Sequence, residues 1–300
     1  IDATDAIDAK NAIDSKNSAH AVLLLSCPDQ RGIVASVSNF IFGHNGNIVT
    51  ADQHTTATRK IFFMRIEWEM EGFDLGRDEI GREFGPLAER FGMKWELHFT
   101  DVATRIAIFA SRHPHCLHDL MLRRRMGELS AEIPLVISNH PDLRPVAEQF
   151  GASFLHFPIT PESKREQERR EIEELEKHGV DLIVLARYMQ VLTNDFVDRY
   201  PHRIINIHHS FLPAFAGGDP YLQAYHRGVK VIGATSHYVT ESLDDGPIIA
   251  QDVIKISHRD AIEGMRIKGK DLERIVLARA VRLHLERRVL VHGQKTIVFE

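Results

Sequence analysis

The sequence has little cysteine and no apolar run long enough to cross a membrane. Cys27 and Cys116 are its only cysteines, which excludes the disulfide frameworks of small secreted proteins and fits a reducing compartment. A membrane-spanning helix needs roughly 20 mostly apolar residues in a row, and no stretch of this chain comes near that length. The pattern of a secretory signal is absent as well. These absences predict a cytoplasmic location and no membrane partner.

Positive charge is not in excess either. The formal net charge is −5 at pH 7, which gives no broad attraction to nucleic acid or to an anionic membrane. The local cluster Arg123–Arg125 is more typical of a solvated helix face than of a phosphate-binding site. We therefore expect no nucleic-acid partner.

Histidine, in contrast, is abundant, with 18 residues. The densest group is His113, His115, Cys116 and His118, within one short segment. Structural zinc usually takes two separated ligand pairs, and no second Cys/His pair at a suitable spacing follows this group. A loop that enters a helix is the better interpretation, and no metal is expected.

The chain is long enough for two domains and begins with a repetitive segment. Residues 1–19 are expected to form a low-complexity tail, because a six-residue polar pattern occurs three times within residues 1–18 and cannot bury a core. Residues 20–100 then show the apolar periodicity of a small domain in the order βαββαβ, which is the ferredoxin-like arrangement. The predicted strands and helices lie, in that order, at 21–27, 32–42, 47–54, 60–70, 76–91 and 93–99.

Residues 101–300 alternate buried-type strands with helices and predict an open, mostly parallel, Rossmann-like α/β sheet. The predicted strands lie at 105–110, 133–137, 181–186, 203–206, 231–239 and 248–256. The predicted helices include residues 162–178 and a long helix at 270–286. The helix at 162–178 is almost wholly charged, so we expect an outer helix with ion pairs rather than a binding surface.

Polar residues follow two of these strands, at the sheet edge where ligands of open α/β sheets bind. Asn206 and His208 project to the same side of an extended segment. The strand at 231–239 carries His237 and leads into Asp244. An amide and an imidazole on one side can stabilise an oxygen that gains negative charge, and a carboxylate can tune the imidazole and position a water. A core histidine bonded to a backbone carbonyl remains the alternative on these residues alone.

The surrounding residues carry a family resemblance. Residues 206–213, Gly233, His237 and residues 243–251 resemble the folate-dependent formyltransferase and hydrolase superfamily, over about residues 105–300. Three segments, 187–190, 208–217 and 233–239, are similar in finer detail to the formyltetrahydrofolate deformylase family. At the N-terminus, segments 29–33 and 45–48 look like an ACT domain, a small-molecule sensing fold that this family pairs with the formyl-transfer domain.

The resemblance implies an enzyme that hydrolyses 10-formyltetrahydrofolate to tetrahydrofolate and formate, supplying formate for purine synthesis and balancing one-carbon pools. The folate is the substrate, and no cofactor is implied. The implied catalytic residues are Asn206, His208 and Asp244. The implied substrate-binding residues are Tyr188, Met189, Val191, Leu192, Val239 and His237. Ordinary core packing is an equally open interpretation for the apolar members, as is a structural role for His237.

For the ACT domain the resemblance implies an amino-acid effector such as glycine or methionine. The implied effector-binding residues are Asp29, Gly32, Asn45 and Asn47. A dimerisation element without a ligand is the alternative, and both interpretations predict a homo-oligomer.

Hydrolysis is favoured over transfer by the segment after the first strand of the second domain. A relative that formylates glycinamide ribonucleotide grips the substrate phosphate with a glycine-rich turn there, whose N–H groups face the phosphate. Residues 110–116 contain no glycine, and Pro114 removes one donor. A formyltransferase with an amine acceptor and a non-catalytic amino-acid or folate sensor remain the alternative functions.

Overall fold

The computed structural model describes residues 19–214 and 220–300, and these divide into two compact units. The first unit comprises the described residues up to Val102 together with Glu286–Leu290 and Ile297–Glu300. The second comprises Ala103–Leu285 and Val291–Thr296. The predicted tail lies outside the described residues, except for residue 19. None of the helices in the described ranges is long and apolar enough to span a membrane.

The first unit is a four-stranded antiparallel sheet with two helices. Its elements follow the predicted order βαββαβ: β1 (His20–Pro28), α1 (Ile33–Gly43), β2 (Ile48–Thr55), β3 (Ile61–Glu69), α2 (Arg77–Phe91) and β4 (Lys94–Phe99). The strand order is β2-β3-β1-β4, so the two most apolar strands are central.

Both faces of the central strands of this unit are buried. Alternate residues of β1 and β3, such as Leu23 and Met64, pack with the inner sides of α1 and α2. On the other face Leu24 and Phe63 pack with Phe299, which the chain brings back at its end. This explains why β1 reads as a continuous apolar run instead of an alternating one.

The second unit is an α/β fold around a mixed, mainly parallel sheet. Its strands are β5 (Thr104–Ala110), β6 (Ala131–Ser138), β7 (Ser153–His156), β8 (Leu182–Leu185), β9 (Ile204–His208), β10 (Val231–Tyr238) and β11 (Ile248–Lys255). The order is β11-β10-β9-β8-β5-β6-β7. Strands β5 to β9 are parallel, whereas β10 and β11 run antiparallel to their neighbours. The prediction of a mostly parallel α/β sheet is confirmed for this unit.

Helices cover the sheet. They are α3 (His115–Arg125), α4 (Arg144–Gln149), α5 (Lys164–Lys177), α6 (Asn194–Arg199), α7 (Pro220–Arg227) and α8 (Ile262–Leu285), with a 3₁₀ turn at Pro141–Leu143. Two short strands, β12 (Val289–His292) and β13 (Lys295–Val298), form a separate hairpin sheet.

Helix α8 begins eight residues earlier than predicted, at Ile262 instead of residue 270. Gly264 and Gly269 lower the intrinsic helix propensity of this segment and obscured its start. Gly269 has a packing role, because a Cβ at this position would lie 2.0 Å from the Tyr221 hydroxyl oxygen. The glycine therefore allows Tyr221 to reach the helix.

Helix α5 differs from its predicted character. The sequence predicted a solvated outer helix, but Glu168, Glu171 and Leu175 are buried. They are spaced three and four residues apart and so form one inward-facing stripe. Two of the three inward positions are therefore carboxylates, which a hydrophobic pattern cannot reveal.

The strand order locates the site. Strand β5 lies between β6 and β8. The chain adds β6 and β7 on one side of β5 and then returns to add β8 and β9 on the other side. In open α/β sheets the carboxyl ends of the strands form a binding crevice at such a position. The segments that follow β5, β8 and β9 meet there.

Candidate active site

Asn206, His208 and His237 come from two neighbouring strands, β9 and β10. The antiparallel register pairs His237 with Asn206 and Thr235 with His208. Directly opposed residues of a β-pair project to the same face, and the Asn206 amide nitrogen Nδ2 lies 3.2 Å from His237 Nε2. His237 Nδ1 lies 2.9 Å from the carbonyl oxygen of Tyr238. Since that carbonyl can only accept, the ring donates to it from Nδ1.

Asp244 reaches the same place from the turn between β10 and β11. Its backbone has a φ of 55°, a left-handed conformation that is uncommon for a residue other than glycine. Gly246 packs against the end of β10, because a Cβ there would lie 1.7 Å from the Tyr238 carbonyl oxygen. This close approach requires glycine, and it brings the Asp244 carboxylate back toward the strands.

Asp244 forms the electrostatic centre of the cluster. Its Oδ2 lies 3.2 Å from His208 Nδ1, and its Oδ1 lies 3.7 Å from His237 Nε2. The hydrogen bond from His208 is the main cause that holds the pKa of Asp244 well below its usual range, against the opposing effect of partial burial. Asp244 is therefore ionised throughout the neutral pH range.

His208 has one ring nitrogen on Asp244 and the other pointing away from it. Its Nε2 is buried and makes no hydrogen bond to any residue within 19–214 or 220–300. A carboxylate on Nδ1 fixes the orientation and the tautomer of the ring. Together with the Asn206 amide, this arrangement can orient a water and stabilise an oxyanion.

The loop after β9 is held by residues of the motif that have no direct chemical role in the cluster. Thr235 Oγ1 donates to the Ser210 carbonyl at 2.8 Å and accepts from the Leu212 amide at 3.0 Å. Gln251 Nε2 donates to the Leu212 carbonyl at 3.0 Å. Gly233 allows the loop to pack on β10, because a Cβ would lie 2.6 Å from Phe211 Cβ. These contacts explain why the motif extends beyond Asn206 and His208.

A cavity of about 340 Å³ opens beside the cluster. All nine residues that the sequence predicted for catalysis and substrate binding line it. They are joined by residues that were not predicted, among them Arg187, Gln190, His209 and Leu243. His209 follows His208 directly, and burial lowers its pKa to about 4, with Arg187 as the next cause. A neutral imidazole therefore lies beside the Asn206, His208 and Asp244 cluster at physiological pH.

The apolar wall of the cavity comprises residues 187–192, which follow β8. Met189 and Val191 are more than half exposed, whereas Tyr188 and Leu192 belong largely to the core of the unit. Tyr188 packs edge-on against Phe109 at a ring distance of 5.2 Å. Tyr188 and Leu192 therefore fit both interpretations, because most of each side chain packs in the core and both residues also line the cavity.

The predicted effector residues lie in the first unit, and the structure separates them into two groups. Gly32, with a φ of 90°, immediately precedes α1, and Asn45 and Asn47 follow the end of that helix. An 11-residue helix is roughly 16 Å long, so the turn at Asp29–Gly32 and the turn at Asn45–Asn47 are not neighbours within one chain. Asn45 Nδ2 donates to the Gly72 carbonyl at 2.8 Å, and Asn47 Nδ2 donates to Glu69 at 2.9 Å.

A buried polar network that the sequence did not predict lies beside the cavity. Glu273 of α8 accepts from the Tyr221 hydroxyl at 2.8 Å and pairs with Arg187 at 3.2 Å and His115 at 2.8 Å. Burial opposes the charge of Glu273, but the hydrogen bond from His115 and the charge of Arg187 outweigh it and lower the pKa of Glu273. Arg187 and Glu273 are 86 positions apart in sequence, and no local pattern links them.

This network contains the only grouping with metal-ligand geometry among the described residues. Ligand atoms of His115, Cys116 and Glu273 lie within 4.8 Å of one another. The Arg187 guanidinium occupies one side of the Glu273 carboxylate, and burial raises the pKa of the Cys116 thiol well above its usual range. A cation would have to compete with the arginine and deprotonate a fully buried thiol, so this grouping does not suit a metal.

Comparisons with known proteins agree with this geometry. A family model described as formyl transferase matches residues 104–281. The formyltetrahydrofolate deformylase of Synechocystis sp. is 53% identical over 279 residues, which cover 93% of this chain and 98% of the relative. The crystal structure of a formyltetrahydrofolate deformylase from Pseudomonas syringae pv. tomato matches with a TM-score of 0.93 at 45% identity, over 98% of this chain and 100% of that one.

The similarity to a transferase is weaker and covers less of the chain. The crystal structure of a glycinamide ribonucleotide transformylase from Symbiobacterium toebii matches with a TM-score of 0.63 at 31% identity. It covers 68% of this chain and 98% of the other. The deformylases are thus similar to the chain along nearly its whole length, and the transformylase to about two thirds of it.

Proposed function

This chain belongs to the formyltetrahydrofolate deformylase family, and we propose that it hydrolyses its substrate with Asn206, His208 and Asp244. It is a hydrolase that converts 10-formyltetrahydrofolate and water to tetrahydrofolate and formate. The observation that carries the residue assignment is the convergence of these three side chains on one cavity that also has an apolar wall. Such a cavity, with few polar groups at one end, suits a pterin ring.

In the proposed mechanism Asp244 and His208 orient a water for attack on the formyl carbon. As the water oxygen bonds to that carbon, one of its protons passes to the Asp244–His208 pair. The resulting oxyanion accepts hydrogen bonds from the Asn206 amide and from protonated His208 Nε2. Asn206 has two N–H donors, so one can contact His237 while the other contacts the oxyanion. The transferred proton then moves to N10, the C–N10 bond breaks, and formic acid leaves and releases its remaining proton.

One feature supports water over an amine as the acceptor. The segment after β5 lacks the glycine-rich turn that grips a phosphate, and in its place Ser111 Oγ accepts from the Met189 amide at 3.0 Å. Ser111 thus serves internal structure at the position where the phosphate of a second substrate would otherwise have to bind.

The test is an incubation of the purified protein with 10-formyltetrahydrofolate and no amine. We expect equimolar formate and tetrahydrofolate. Turnover that starts only after glycinamide ribonucleotide is added would instead identify a formyltransferase, and binding without any turnover would identify a folate sensor.

For the first unit we propose an ACT domain that binds an amino-acid effector, glycine or methionine. We propose further that this domain assembles the chain into a homo-oligomer and that the enzyme is cytoplasmic and serves one-carbon metabolism. The βαββαβ order, the antiparallel sheet and the left-handed Gly32 before α1 support this proposal. Since the two predicted turns lie at opposite ends of α1, an effector site that uses both would have to combine turns from two chains. Calorimetric titration with glycine and with methionine, together with the molar mass in solution, tests it. A monomer that binds neither amino acid would contradict it.

A further inference from the structure

The wall of the folate cavity is a segment with no regular structure of its own. Residues 187–193 lie between the end of β8 and the start of α6 and belong to no helix or strand. Six of them, residues 187–192, line the cavity. Without a ladder of backbone hydrogen bonds, the shape of this wall depends on contacts from other elements.

The inner face of α5 supplies several of these contacts. The Glu168 carboxylate accepts from the Thr193 amide at 3.1 Å and also from the Thr193 hydroxyl. Glu171 lies about one helical turn after Glu168, and its Oε1 accepts from the Tyr188 hydroxyl at 3.3 Å. Lys164 donates its ammonium group to the Val191 carbonyl. Helix α5 thus holds the wall near its beginning, at its middle and at its end.

Glu168 and Glu171 are costly residues for a helix face in the core. Their exposed fractions are 3% and 0%, and a buried carboxylate is unfavourable unless it is bonded or neutral. The rest of the surroundings is apolar, with Leu175, Leu192 and Phe196 in the same core cluster. An apolar stripe would stabilise the packing of the helix at no such cost, but it would leave the Thr193 amide and the Tyr188 hydroxyl without these partners.

On this basis we propose that Glu168 and Glu171 are positioning residues for the folate-binding wall, acting through Thr193 and Tyr188. The inference rests on the proposed function, since it assumes that the folate lies against residues 187–192. Neither carboxylate lines the cavity, so neither is expected to touch the substrate. Their loss should change folate affinity and leave the chemical step unaffected.

The protonation state of Glu171 gives this role a pH dependence. Burial, followed by the charge of Glu168, raises the pKa of Glu171 to about 8. The titratable groups that face it are Glu168 on its own helix and Tyr188 on the wall. At neutral pH Glu171 is protonated and shares a hydrogen bond with Tyr188. Above pH 8 it becomes a second negative charge beside Glu168, with Oε2 buried and bonded to no described residue. Tyr188 still donates to Glu171 in that state, but repulsion between the two buried carboxylates disturbs the helix face that holds the wall.

The experiment measures kcat and KM for 10-formyltetrahydrofolate at pH 7 and pH 9, with equilibrium binding of tetrahydrofolate at the same two pH values. For Glu168→Gln we expect KM to rise about tenfold at pH 7 with kcat unchanged, because charge-assisted bonds to Thr193 are lost. Thr193→Val should raise KM similarly, and Thr193→Ser should restore it. For Glu171→Gln, which cannot ionise, the ratio of KM at pH 9 to KM at pH 7 should be close to one, against several-fold in the unmodified protein.

Glu173→Gln is the matched control. Glu173 lies on the same helix, its side chain is 57% exposed, and it pairs with Arg169 in solvent. Any change in KM that comes from ionisation of the substrate itself also occurs in this variant. Its ratio of KM at pH 9 to KM at pH 7 should therefore equal that of the unmodified protein. A loss of kcat in Glu168→Gln, or the same KM ratio in Glu171→Gln and Glu173→Gln, would overturn the inference. Absence of hydrolysis in the unmodified protein would overturn the proposed function, while tetrahydrofolate binding would still test the wall.

Discussion

Two carboxylates near one cavity have opposite protonation states. Asp244 lies beside two imidazoles, and the hydrogen bond from His208 holds its pKa well below the usual range. Glu171 lies among apolar side chains with one tyrosine hydroxyl, and burial raises its pKa to about 8. Asp244 is charged at neutral pH, whereas Glu171 is protonated.

The difference arises from partners more than from depth. Glu273 is as deeply buried as Glu171, yet the pKa of Glu273 is lowered because His115, Arg187 and Tyr221 all donate to it. Asp244 and Glu273 each face at least two donors and have lowered pKa values, whereas Glu171 faces one donor and has a raised pKa. Replacing each carboxylate by its amide, which removes the charge and keeps the shape, therefore tests the comparison directly.

The largest effect is expected at Asp244. Asp244→Asn should lower kcat by about 100- to 10,000-fold, because the charge that orients His208 and the water is lost. The measurement is formate release under saturating 10-formyltetrahydrofolate. Asp245→Asn is the matched control, since this neighbour is one residue further along the same turn and does not line the cavity; its kcat should stay within about twofold. Equal losses in both variants would mean that the turn, not the Asp244 charge, matters.

A somewhat smaller loss is expected for the amide that faces the same imidazoles. Asn206→Ala should lower kcat by roughly 100- to 1,000-fold while the protein stays folded, because one oxyanion donor is removed. His237 would lose its 3.2 Å contact with Asn206 as well. Asn206→Asp keeps the shape but replaces the donor with a charge, and it should be no better than alanine. Full activity in Asn206→Ala would refute the oxyanion role.

The sequence could predict the parts of this site that depend on strand ends and motifs. Asn206 and His208 follow from the two-residue period of a strand, and Asp244 from the family motif, and these residues do meet. The pairing of His237 with Asn206 depends on β10 running antiparallel to β9, which apolar runs do not encode. Glu168 and Glu171 stand within a continuous charged stretch, so their burial depends on a wall segment about 20 residues away in sequence. The Arg187–Glu273 pair is separated by 86 positions in sequence and has no local signal.

Removing the cation beside Glu273 should turn that carboxylate into one like Glu171. Arg187→Met is expected to lower the free energy of unfolding by about 3 kcal/mol, since a buried charge loses its partner. Arg187→Lys keeps the charge and should cost less. The double variant Arg187→Met with Glu273→Gln should be more stable than Arg187→Met alone, because the uncompensated charge is gone. Urea unfolding of these proteins and of Glu273→Gln alone measures this, and additive losses would show that the two residues are not coupled.

For the neutral carboxylate we expect a pH dependence of stability and no effect on the rate of the chemical step. The folded-state pKa of Glu171 is about 8 against an ordinary value of 4.5, so between these values the folded state holds a proton that the unfolded state releases. The free energy of unfolding must therefore fall as pH rises through this window, by up to about 1.4 kcal/mol per pH unit, and level off above pH 8. Glu171→Gln has no proton to release and should lack this decline.

The difference in urea midpoint between Glu171→Gln and the unmodified protein should thus shift in favour of the variant from pH 5 to pH 8. Glu173→Gln, at an exposed position, should show no such shift. Parallel pH profiles for the unmodified protein and Glu171→Gln would mean that Glu171 is ionised like Asp244, and the contrast between the two carboxylates would then be wrong.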